Sequence, residues 1–533
     1  MNEIFPKLSV ALCIHNEADQ LEDCLATLTF ADEIVVVLDR CSDDSKSIAR
    51  RFGAIIIEGE WPIEGPRRHA AIYRCTGDWI LEIDADERIS DALSREIRET
   101  ILSAAPGYFL IPFDNYIGER RVRHGWGGSW GVMAAPRLFT PGAKQWGDSR
   151  IHPPLTLQGP KRRLKAPIKH YVDRDFRDML DREADRIDAV VVGTPDHTHA
   201  PASAMALRLK KHVYCEKPLA HSVHEVRALM AEARRQKVVT QLGNQGHSSG
   251  DIRKCVEWIR DGAIGKVHTV HAACTAVHTR VKELPKRSEK QAIPKELDWD
   301  LWQGPAAERS YHGMYLPGSW RAWRPYGNGT IGDWVCHVVD PSFWALDLGT
   351  PSSIEVLDMI DFDPKKHIDT FARGSRTRFE FPARGDRGPV TLYWYSGSMR
   401  IPRTKDLDPG KNPPGTGAVI IGDKGSITHG SHGAGGVRLV PEAAMKAYKQ
   451  PKQTIPRTRG HHNDFLDAIR NGKKAGSDFA EYGGPLTEIA MLGIIATNFP
   501  GRKLSWDGAN TRFTDCDEAN AFINPPSRKG WSL

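Results

Sequence analysis

Acidic and amide side chains follow three apolar segments that predict β-strands, residues 8–14, 33–38 and 79–83. In chain order, the polar residues are Asn16 and Glu17, then Asp39, then Asp84 and Asp86. Ligands of open α/β sheets bind beyond the carboxyl ends of the strands. Carboxylates there suit Mg²⁺ or Mn²⁺, which also bind phosphate oxygens. The pattern predicts a site for a phosphate compound and a metal ion, although any single Asp could instead cap a helix.

The elements that must position these side chains alternate along the first 180 residues. The predicted strands are residues 8–14, 33–38, 54–57 and 79–83, and the predicted helices are residues 18–29, 45–52 and 67–75. This alternation is typical of an α/β fold with a mostly parallel sheet. After about residue 104, Gly, Trp and Pro become frequent, which predicts an acceptor-side or loop region rather than more of the sheet.

Three motifs in this region carry a family resemblance. They are SVALCIHNE, VVVLDRCSDDS and GDWILEIDADE, and they occur in this order. Residues 7–180 resemble the family-2 inverting glycosyltransferases, in particular the branch that builds lipopolysaccharide core. The resemblance implies a GT-A-like domain that binds a nucleotide-sugar donor and transfers the sugar to a saccharide or lipid-linked acceptor, with Mg²⁺ or Mn²⁺.

The resemblance also implies roles for individual residues. Asp84 and Asp86 hold the ribose and the metal-bridged diphosphate, and both are the expected metal ligands and catalytic residues. The other expected nucleotide-sugar-binding residues are Asn16, Glu17, Asp39 and Arg67. Arg67 and its neighbour Arg68 lie where the family often has a basic residue near the diphosphate. A solvated helix face is the alternative for both arginines.

One departure concerns the catalytic base that would deprotonate the acceptor hydroxyl. The family often shows His-Glu at a point where this chain has His152-Pro153. Asp148 and Glu87 are the remaining candidates. A basic stretch follows, with Lys161, Arg162, Arg163, Lys165 and Lys169. It could contact anionic lipid at the inner face of the cytoplasmic membrane, and an ordinary solvated surface is the alternative.

A second group of reactive side chains lies further along the chain. The segments TPDHTH, at residues 194–199, and EKP, at residues 216–218, each follow a predicted strand and can line one cleft. Lys217 can act as an acid or base if its surroundings lower its pKa. Asp333 and His337 are four residues apart, so on a helix they share a face. Together they could bind a hydroxyl group and remove its proton, and a plain helix-surface pair is the alternative.

These segments, with LDWDLWQGP, GDWVCHVVDPSFWALDLG and GPLTEIAMLG, resemble the Gfo/Idh/MocA oxidoreductases from about residue 176 to the end of the chain. The resemblance implies an NAD(P)-dependent enzyme acting on sugars or polyols. Lys217, Asp333 and His337 match its catalytic positions. Thr194, His199, Glu216 and Lys217 match its cofactor-binding positions. A C-terminal sheet that forms homo-oligomers is a further implication.

The oxidoreductase resemblance lacks its first half. Such an enzyme begins with a strand, a GxGxxG turn and a helix, whereas glycosyltransferase-like sequence precedes the strand DAVVVG at residues 188–193. We therefore expect a partial Rossmann sheet with one unpaired edge and no tight NAD(P) binding. The expected domains are a transferase domain (1–175), a partial dinucleotide-binding domain (176–263) and an α+β C-terminal domain with a sheet (264–533).

Three functional hypotheses follow. The first is a glycosyltransferase joined to a truncated and inactive oxidoreductase. The second is an active sugar or polyol oxidoreductase in which the first 180 residues replace the lost half. The third is a non-catalytic chimera that self-associates.

Composition bears on whether the protein binds nucleic acid, spans a membrane, is secreted or contains disulfides. The chain has 533 residues, with 73 Lys and Arg against 67 Asp and Glu, a net charge of 73 − 67 = +6. This mild charge gives no reason to expect a nucleic-acid partner. No apolar run reaches the 18 residues of a membrane helix, and the N-terminus lacks the pattern of a signal peptide. Nine cysteines without a CxxC pair favour reduced thiols in the cytoplasm.

Overall fold

The computed structural model describes residues 5–117, 120–121, 134–148, 154–171, 175–294 and 297–533. The chain divides into two compact units, Met1–Asp185 and Arg186–Leu533. The segment with His152 and Pro153 lies outside the described residues.

The first unit is built on one large mixed sheet. Its strands are β1 Leu8–Ile14, β2 Glu33–Asp39, β3 Ile55–Gly59, β4 Trp79–Ile83, β5 Glu87–Arg88, β6 Tyr108–Ile117, β7 Arg120–Arg121, β8 Ala134–Phe139, β9 Lys144–Trp146, β10 Leu155–Leu157, β11 Lys161–Arg163 and β12 Ile168–Tyr171. Its helices are α1 Ala18–Ala26, α2 Ser45–Arg51, α3 Glu64–Arg74, α4 Asp91–Ile101 and α5 Phe176–Glu183. The main path of the large sheet runs β3-β2-β1-β4-β8-β6-β12-β5, and β7 and β11 also pair with β6, whereas β9 and β10 form a separate two-stranded sheet.

The first four strands of this path are parallel, which confirms the α/β prediction. Every residue of β1 and β4 is buried, as expected for central strands covered on both faces. Two apolar clusters pack against the sheet, one with Val36 and Leu81 and the other with their strand neighbours Val35 and Ile80. Because successive residues of a strand point to opposite faces, the two clusters lie on opposite sides. The central strands therefore hold their carboxyl ends rigidly.

The prediction that the sheet stops near residue 104 is wrong. β6 and β8 continue it, β8 pairing antiparallel with β4 and with β6. The physical reason is the apolar content of two short segments, in which Phe109, Ile111, Leu138 and Phe139 are buried. The many Gly and Trp residues between these two segments give the whole region the composition of a loop, so the two strands were not predicted.

The second unit contains two sheets. Its strands are β13 Ala189–Val192, β14 His212–Glu216, β15 Thr240–Gly243, β16 Val267–Cys274, β17 Ser353–Ile360, β18 Gly374–Phe381, β19 Val390–Gly397, β20 Gly417–Gly422, β21 Ser426–Gly430, β22 Arg438–Val440, β23 Lys503–Asp507 and β24 Arg512–Phe513. Its α-helices are α6 Asp196–Arg208, α7 Val223–Gln236, α8 Gly250–Arg260, α9 Trp299–Gln303, α10 Gly329–Val338, α11 Asp340–Leu346, α12 Glu442–Ala447, α13 His461–Asn471, α14 Gly484–Ala496 and α15 Asp517–Asn520.

The smaller sheet is the predicted partial Rossmann sheet. Its three strands are parallel in the order β13-β14-β15. Within the described residues β13 pairs only with β14, so its other edge is unpaired, and Val191 on it is 68% exposed. The larger sheet has nine strands in the order β22-β21-β20-β16-β19-β18-β17-β23-β24, which confirms the predicted α+β region.

All nine cysteines are free thiols. In the described part of the chain, no helix is both long enough and apolar enough to cross a membrane.

Candidate functional site

The parallel strands of the first unit bring the predicted polar residues to one edge. Ile14 is in register with Leu38 across β1 and β2, and Leu12 is in register with Ile83 across β1 and β4. The loops that carry Asn16, Asp39 and Asp84 therefore leave the same edge of the sheet. The grouping expected from the sequence is present.

Asp84 is held by two buried arginines. Arg68 Nη1 lies 3.0 Å from Asp84 Oδ1, and Arg137 Nη2 lies 2.6 Å from Oδ2. Burial alone would raise the pKa of this carboxyl, but Arg137 and Arg68 hold the pKa well below its usual value. Both carboxylate oxygens are thus engaged. Asp84 therefore holds the guanidinium groups of Arg68 and Arg137 at the edge of the sheet.

A buried acid beneath Asp84 balances this positive charge. Glu82, on β4, accepts from Arg68 at 2.7 Å and pairs with Lys144 at 2.9 Å and Arg137 at 3.6 Å. Lys144 and the arginines lower the pKa of Glu82 to about 2 despite its burial. Sequence reasoning missed Glu82, Lys144 and Arg137. The one available indication was the acid inside the apolar strand WILEI.

Asp86 has a different partner, which the sequence did not indicate. Its Oδ2 lies 3.1 Å from His170 Nε2, while its Oδ1 is buried with no hydrogen-bond partner among the described residues. His170 Nδ1 lies 2.8 Å from Asn115 Oδ1. Burial opposes the charged imidazolium, but the hydrogen bond with Asp86 raises the pKa of His170 above its usual value. His170 reaches this place because β12 pairs with β5 and β6.

Asp39 is enclosed by polar groups. Arg40 Nε donates to its carboxylate at 3.1 Å, the Trp61 backbone N–H donates at 3.1 Å, and Arg67 Nη1 lies 3.6 Å away. Arg67 is 2% exposed and Arg68 is 7% exposed. The alternative of a solvated helix face is therefore wrong for both arginines.

A cavity of about 740 Å³ opens beside Asn16. His15, Asn16 and Arg40 line one part of it. Acidic residues line the rest, and they are Asp19, Asp43, Asp178, Asp181 and Asp185. Because these carboxylates repel phosphate, a diphosphate in this cavity needs a bound cation or the nearby arginines to offset the charge.

The two candidates for the catalytic base differ in accessibility. Glu87 is 2% exposed, lies 2.5 Å from Arg137 and accepts from the Asp84 backbone N–H. Burial raises its pKa to about 7. Asp148 is exposed and lines a second cavity with Arg40, Pro62 and Asp185. Of these two candidates, Asp148 is the one open to an acceptor.

The predicted metal site is not assembled from both carboxylates. Asp84 is engaged by two arginines, so the prediction that it is a metal ligand does not fit this geometry. Asp86 does fit, because its Oδ1 is buried and accepts no hydrogen bond from the described residues. Within the described residues, no group of three or more His, Cys, Asp or Glu side chains is arranged to hold a metal ion.

The second unit brings Lys217 and Asp333 into direct contact. Lys217 Nζ donates to Asp333 Oδ1 at 2.5 Å and to the Asp333 carbonyl at 2.8 Å. His278 Nε2 lies 3.2 Å from Asp333 Oδ2, and Arg321 Nε lies 3.4 Å from Oδ1. These partners outweigh burial and lower the pKa of Asp333 far below its usual value. His278 and Arg321 were not found from the sequence.

His337 lies one turn after Asp333 on α10, as predicted. Its Nδ1 is buried without a partner in the described structure, and its ring stacks on His432 with centroids 4.1 Å apart. Burial and the nearby Lys217 lower the pKa of His337 well below its usual value. A neutral imidazole with a free ring nitrogen can accept a proton or a hydroxyl hydrogen bond. Sequence reasoning missed His432.

The predicted cofactor-binding residues make different contacts. His199 is 1% exposed, and its two ring nitrogens contact the Pro218 carbonyl at 2.7 Å and the Thr194 carbonyl at 2.8 Å. His199 thus fixes two loops, and Thr194 itself is exposed. Glu216 accepts from Gln245 Nε2 at 2.8 Å, and burial raises its pKa.

Three protein-family models match successive segments of the chain. Residues 9–131 match "Glycosyl transferase family 2". Residues 158–244 match "Oxidoreductase family, NAD-binding Rossmann fold" and residues 250–383 match "Oxidoreductase family, C-terminal alpha/beta domain".

Two relatives show the same division. An uncharacterized glycosyltransferase of Rickettsia felis is 35% identical over 92 residues, 17% of this chain and 32% of that protein. The uncharacterized oxidoreductase YrbE of Bacillus subtilis is 33% identical over 98 residues, 18% of this chain and 28% of that protein. The chain thus matches about a third of the length of each relative.

Solved structures are similar to about two thirds of the chain. An aldose-aldose oxidoreductase from Caulobacter crescentus is 16% identical, with a TM-score of 0.40, over 63% of this chain and 84% of that one. A levoglucosan dehydrogenase solved with NADH and levoglucosan is 19% identical, with a TM-score of 0.39, over 63% and 84%. By the three family models, the segment 9–131 is similar to family 2 glycosyltransferases, and the segments 158–244 and 250–383 are similar to the two domains of Gfo/Idh/MocA oxidoreductases.

Proposed function

We propose that the first unit transfers a sugar, with inversion, from a nucleotide-sugar donor to a saccharide or lipid-linked acceptor. The observation that carries this proposal is the sheet edge where Asp39 and Asp84 meet three buried arginines, with Asp86 two residues further along. Acids of this kind suit a nucleoside and a cation, and the arginines suit a diphosphate.

The chemistry of the departing diphosphate assigns roles to the buried groups. Arg68 and Arg137 stabilise the negative charge that develops as the sugar–phosphate bond breaks, because they are fixed by Asp84 and Glu82 before the donor binds. Asp86 would hold Mg²⁺ or Mn²⁺, which would supply further positive charge. Asp148 accepts the proton of the acceptor hydroxyl.

Strand β11 carries basic residues that suit an anionic surface, and its pairing with the start of β6 places it toward the amino end of β4, away from Asp84. Lys161 and Arg163 on β11 are exposed, whereas Arg162 lies over the Phe109 ring at 4.2 Å. Exposed lysine and arginine near a bilayer each contribute about 1 kcal/mol to binding anionic lipid. Peripheral contact with a membrane belongs to the proposal for a lipid-linked acceptor.

The test is donor binding to the full chain. We expect Asp86→Ala to abolish Mn²⁺-dependent binding of the preferred nucleotide sugar, measured by calorimetry across a panel of UDP-, GDP-, dTDP- and CMP-sugars. Asp23→Asn is the matched control, since Asp23 is an acid of the same unit whose side chain is 80% exposed and lines neither cavity, and it should keep donor binding. Unchanged metal-dependent binding in Asp86→Ala would contradict the proposal.

We also propose that the second unit binds NAD(P) weakly or not at all. The sheet β13-β14-β15 lies in the oxidoreductase segment, and no strand–GxGxxG–helix sequence precedes β13. That sequence normally places backbone N–H groups against the pyrophosphate. Without it the second unit is inactive as a dehydrogenase.

A second candidate is a sugar or polyol oxidoreductase, favoured by the assembled Lys217, Asp333 and His337 cluster. Under this alternative, NAD(P)⁺ would be reduced in the presence of polyols, and Lys217→Ala would abolish the absorbance change at the nicotinamide band. The absence of any cofactor binding at millimolar NADH would exclude it.

Self-association through the nine-stranded sheet is the remaining part of the proposal. Tyr393, Met399 and Ile421 are only partly buried and pack against the buried cluster of Ala273, Tyr395, Ile401 and Val419. A second copy of the chain could cover this apolar face.

A further inference from the structure

The second unit contains a cavity of about 580 Å³ that the proposed activities do not use. Its lining includes the start of α7, the end of α14 and the segment around Pro525, but none of Lys217, Asp333 and His337. The volume lies within the roughly 300–1,000 Å³ typical of small-molecule sites. Apolar side chains dominate the wall, and they include Ile368, Phe371, Met491, Ile494, Phe499 and Phe522.

One cation in this wall has only neutral hydrogen-bond partners. Arg324 lines the cavity, its Nε donates to the Thr370 carbonyl at 2.8 Å, and its Nη2 donates to Thr497 Oγ1 at 2.7 Å. Over the described residues, no carboxylate lies within 4.0 Å of this guanidinium. Its central carbon lies 4.8 Å from the Phe371 ring centroid. Arg324 is only partly exposed, and Asp369, whose charge acts on it, is already paired with Arg287 and Arg309. An anion bound here would therefore be stabilising.

The other ionisable groups of the wall do not supply that anion. Arg309 is paired with Asp369 at 2.8 Å. Glu225 accepts from the His221 backbone N–H at 2.8 Å, and burial raises its pKa to about 7. Lys365 and Glu518 line the cavity but are exposed to solvent. The unmet charge at neutral pH is therefore that of Arg324.

We propose that this cavity binds an amphipathic carboxylate, with the carboxylate on Arg324 and an apolar chain along Phe371, Ile494 and Phe499. An uncharged chain would fill the apolar wall but leave Arg324 without a counter-ion. A small anion would pair with Arg324 but leave the apolar side chains of the cavity wall exposed to water. The combination of one uncompensated cation and a mostly apolar wall selects a molecule with both parts.

The experiment measures displacement of a fluorescent undecanoic acid from the full chain by dodecanoate and by dodecanol. We expect dodecanoate to bind at least tenfold more tightly than dodecanol. Arg324→Gln should weaken dodecanoate about 10- to 100-fold, the range of a charge-assisted hydrogen bond, and should leave dodecanol unchanged. Arg512→Gln is the matched control, an exposed arginine outside the cavity, and should bind both as the native chain does.

A second variant keeps the test decisive if Arg324→Gln fails to fold. Ile368 is 56% exposed and lines the cavity, so Ile368→Trp should fold and obstruct it. We expect this variant to lose affinity for both dodecanoate and dodecanol. Native-like dodecanoate binding by Ile368→Trp, equal affinity for dodecanoate and dodecanol, or no dodecanoate binding by the native chain would each overturn the proposal.

Discussion

The carboxylate of Asp148 is the side chain on which the proposed transfer step depends. It is exposed beside Arg40, whereas Glu87 is buried against Arg137. Asp148→Asn removes the proton acceptor but keeps the size of the side chain. We predict that kcat for sugar transfer falls about 100- to 10,000-fold, the range for general base catalysis, while the Kd for the donor stays unchanged. Steady-state kinetics and calorimetry measure the two quantities.

Asp23→Asn, which alters an exposed acid outside both cavities, is the control for this prediction and should keep most of kcat. A normal kcat in Asp148→Asn would contradict the prediction and show that another residue is the catalytic base.

The buried carboxyl of Asp196 predicts a pH effect on stability in the second unit. Burial and the charge of Asp333 raise its pKa from 3.8 to about 7. The folded form then holds a proton that the unfolded form releases above about pH 4, so the free energy of unfolding falls as pH rises from 4 to 7. At 1.36 kcal/mol per pKa unit the loss is up to about 4 kcal/mol.

Asp196→Asn should remove this decline, because an amide does not titrate and can still accept from the Asn328 backbone N–H. Chemical denaturation of both proteins at pH 4, 5, 6 and 7 measures the difference. Parallel pH profiles for the two proteins would contradict the prediction.

Strand β4 depends on an acid in its interior. Glu82 pairs with Lys144 and Arg68 in the buried core below the sheet edge. Removing one partner of a buried ion pair leaves the other charges uncompensated, at a cost of about 3–5 kcal/mol. We predict that Glu82→Gln lowers the free energy of unfolding of the first unit by about that amount, measured by thermal and urea denaturation.

Glu58→Gln is the control for the Glu82 prediction. Glu58 pairs with Lys46 at the surface, where both side chains are more than a third exposed, so its loss should cost at most about 1 kcal/mol. Equal effects of the two substitutions would show that the buried cluster does not stabilise β4.

The predictable part of the site is the part set by strand ends. Asp39 and Asp84 could be placed together because alternating strands and helices imply a parallel sheet, and parallel strands end at one edge. Lys217 could be selected because it follows a predicted strand, and Asp333 and His337 could be selected because their four-residue spacing puts them on one face of a helix. The first unit's α/β fold and the three-stranded sheet followed from the same patterns.

The side chains that sequence reasoning missed are brought in by strand pairing over long distances. His170 lies 84 residues after Asp86, and only the pairing of β12 with β5 and β6 brings the two together. Arg137 and His278 reach their carboxylates over 53 and 55 residues. Local periodicity contains no information about such pairings, because the register of distant strands depends on packing of the whole sheet.

Two exposed surfaces of the second unit differ in how they would associate with another copy. Among the described residues β13 offers an unpaired edge only four residues long, and short edge strands resist pairing. The sheet face at Tyr393 is broader and partly apolar. We predict that Tyr393→Glu reduces self-association, while Val191→Lys on the β13 edge leaves it unchanged, as measured by sedimentation velocity. If Val191→Lys abolished self-association and Tyr393→Glu did not, the contact between copies would lie on the β13 edge and the prediction would be wrong.

The central claim is that this chain has a nucleotide-sugar site in its first unit and no dinucleotide site in its second. The most direct test is the Tm of the full chain with each of UDP, GDP, dTDP and CMP plus Mn²⁺, and separately with NADH and NADPH. A ligand at 100 times its Kd adds about 2.7 kcal/mol, which raises Tm by a few degrees for a protein of this size. We predict a rise with at least one nucleotide and Mn²⁺, its loss in Asp86→Ala, and no rise with NADH or NADPH. A rise with a dinucleotide and with none of the nucleotides would contradict the account.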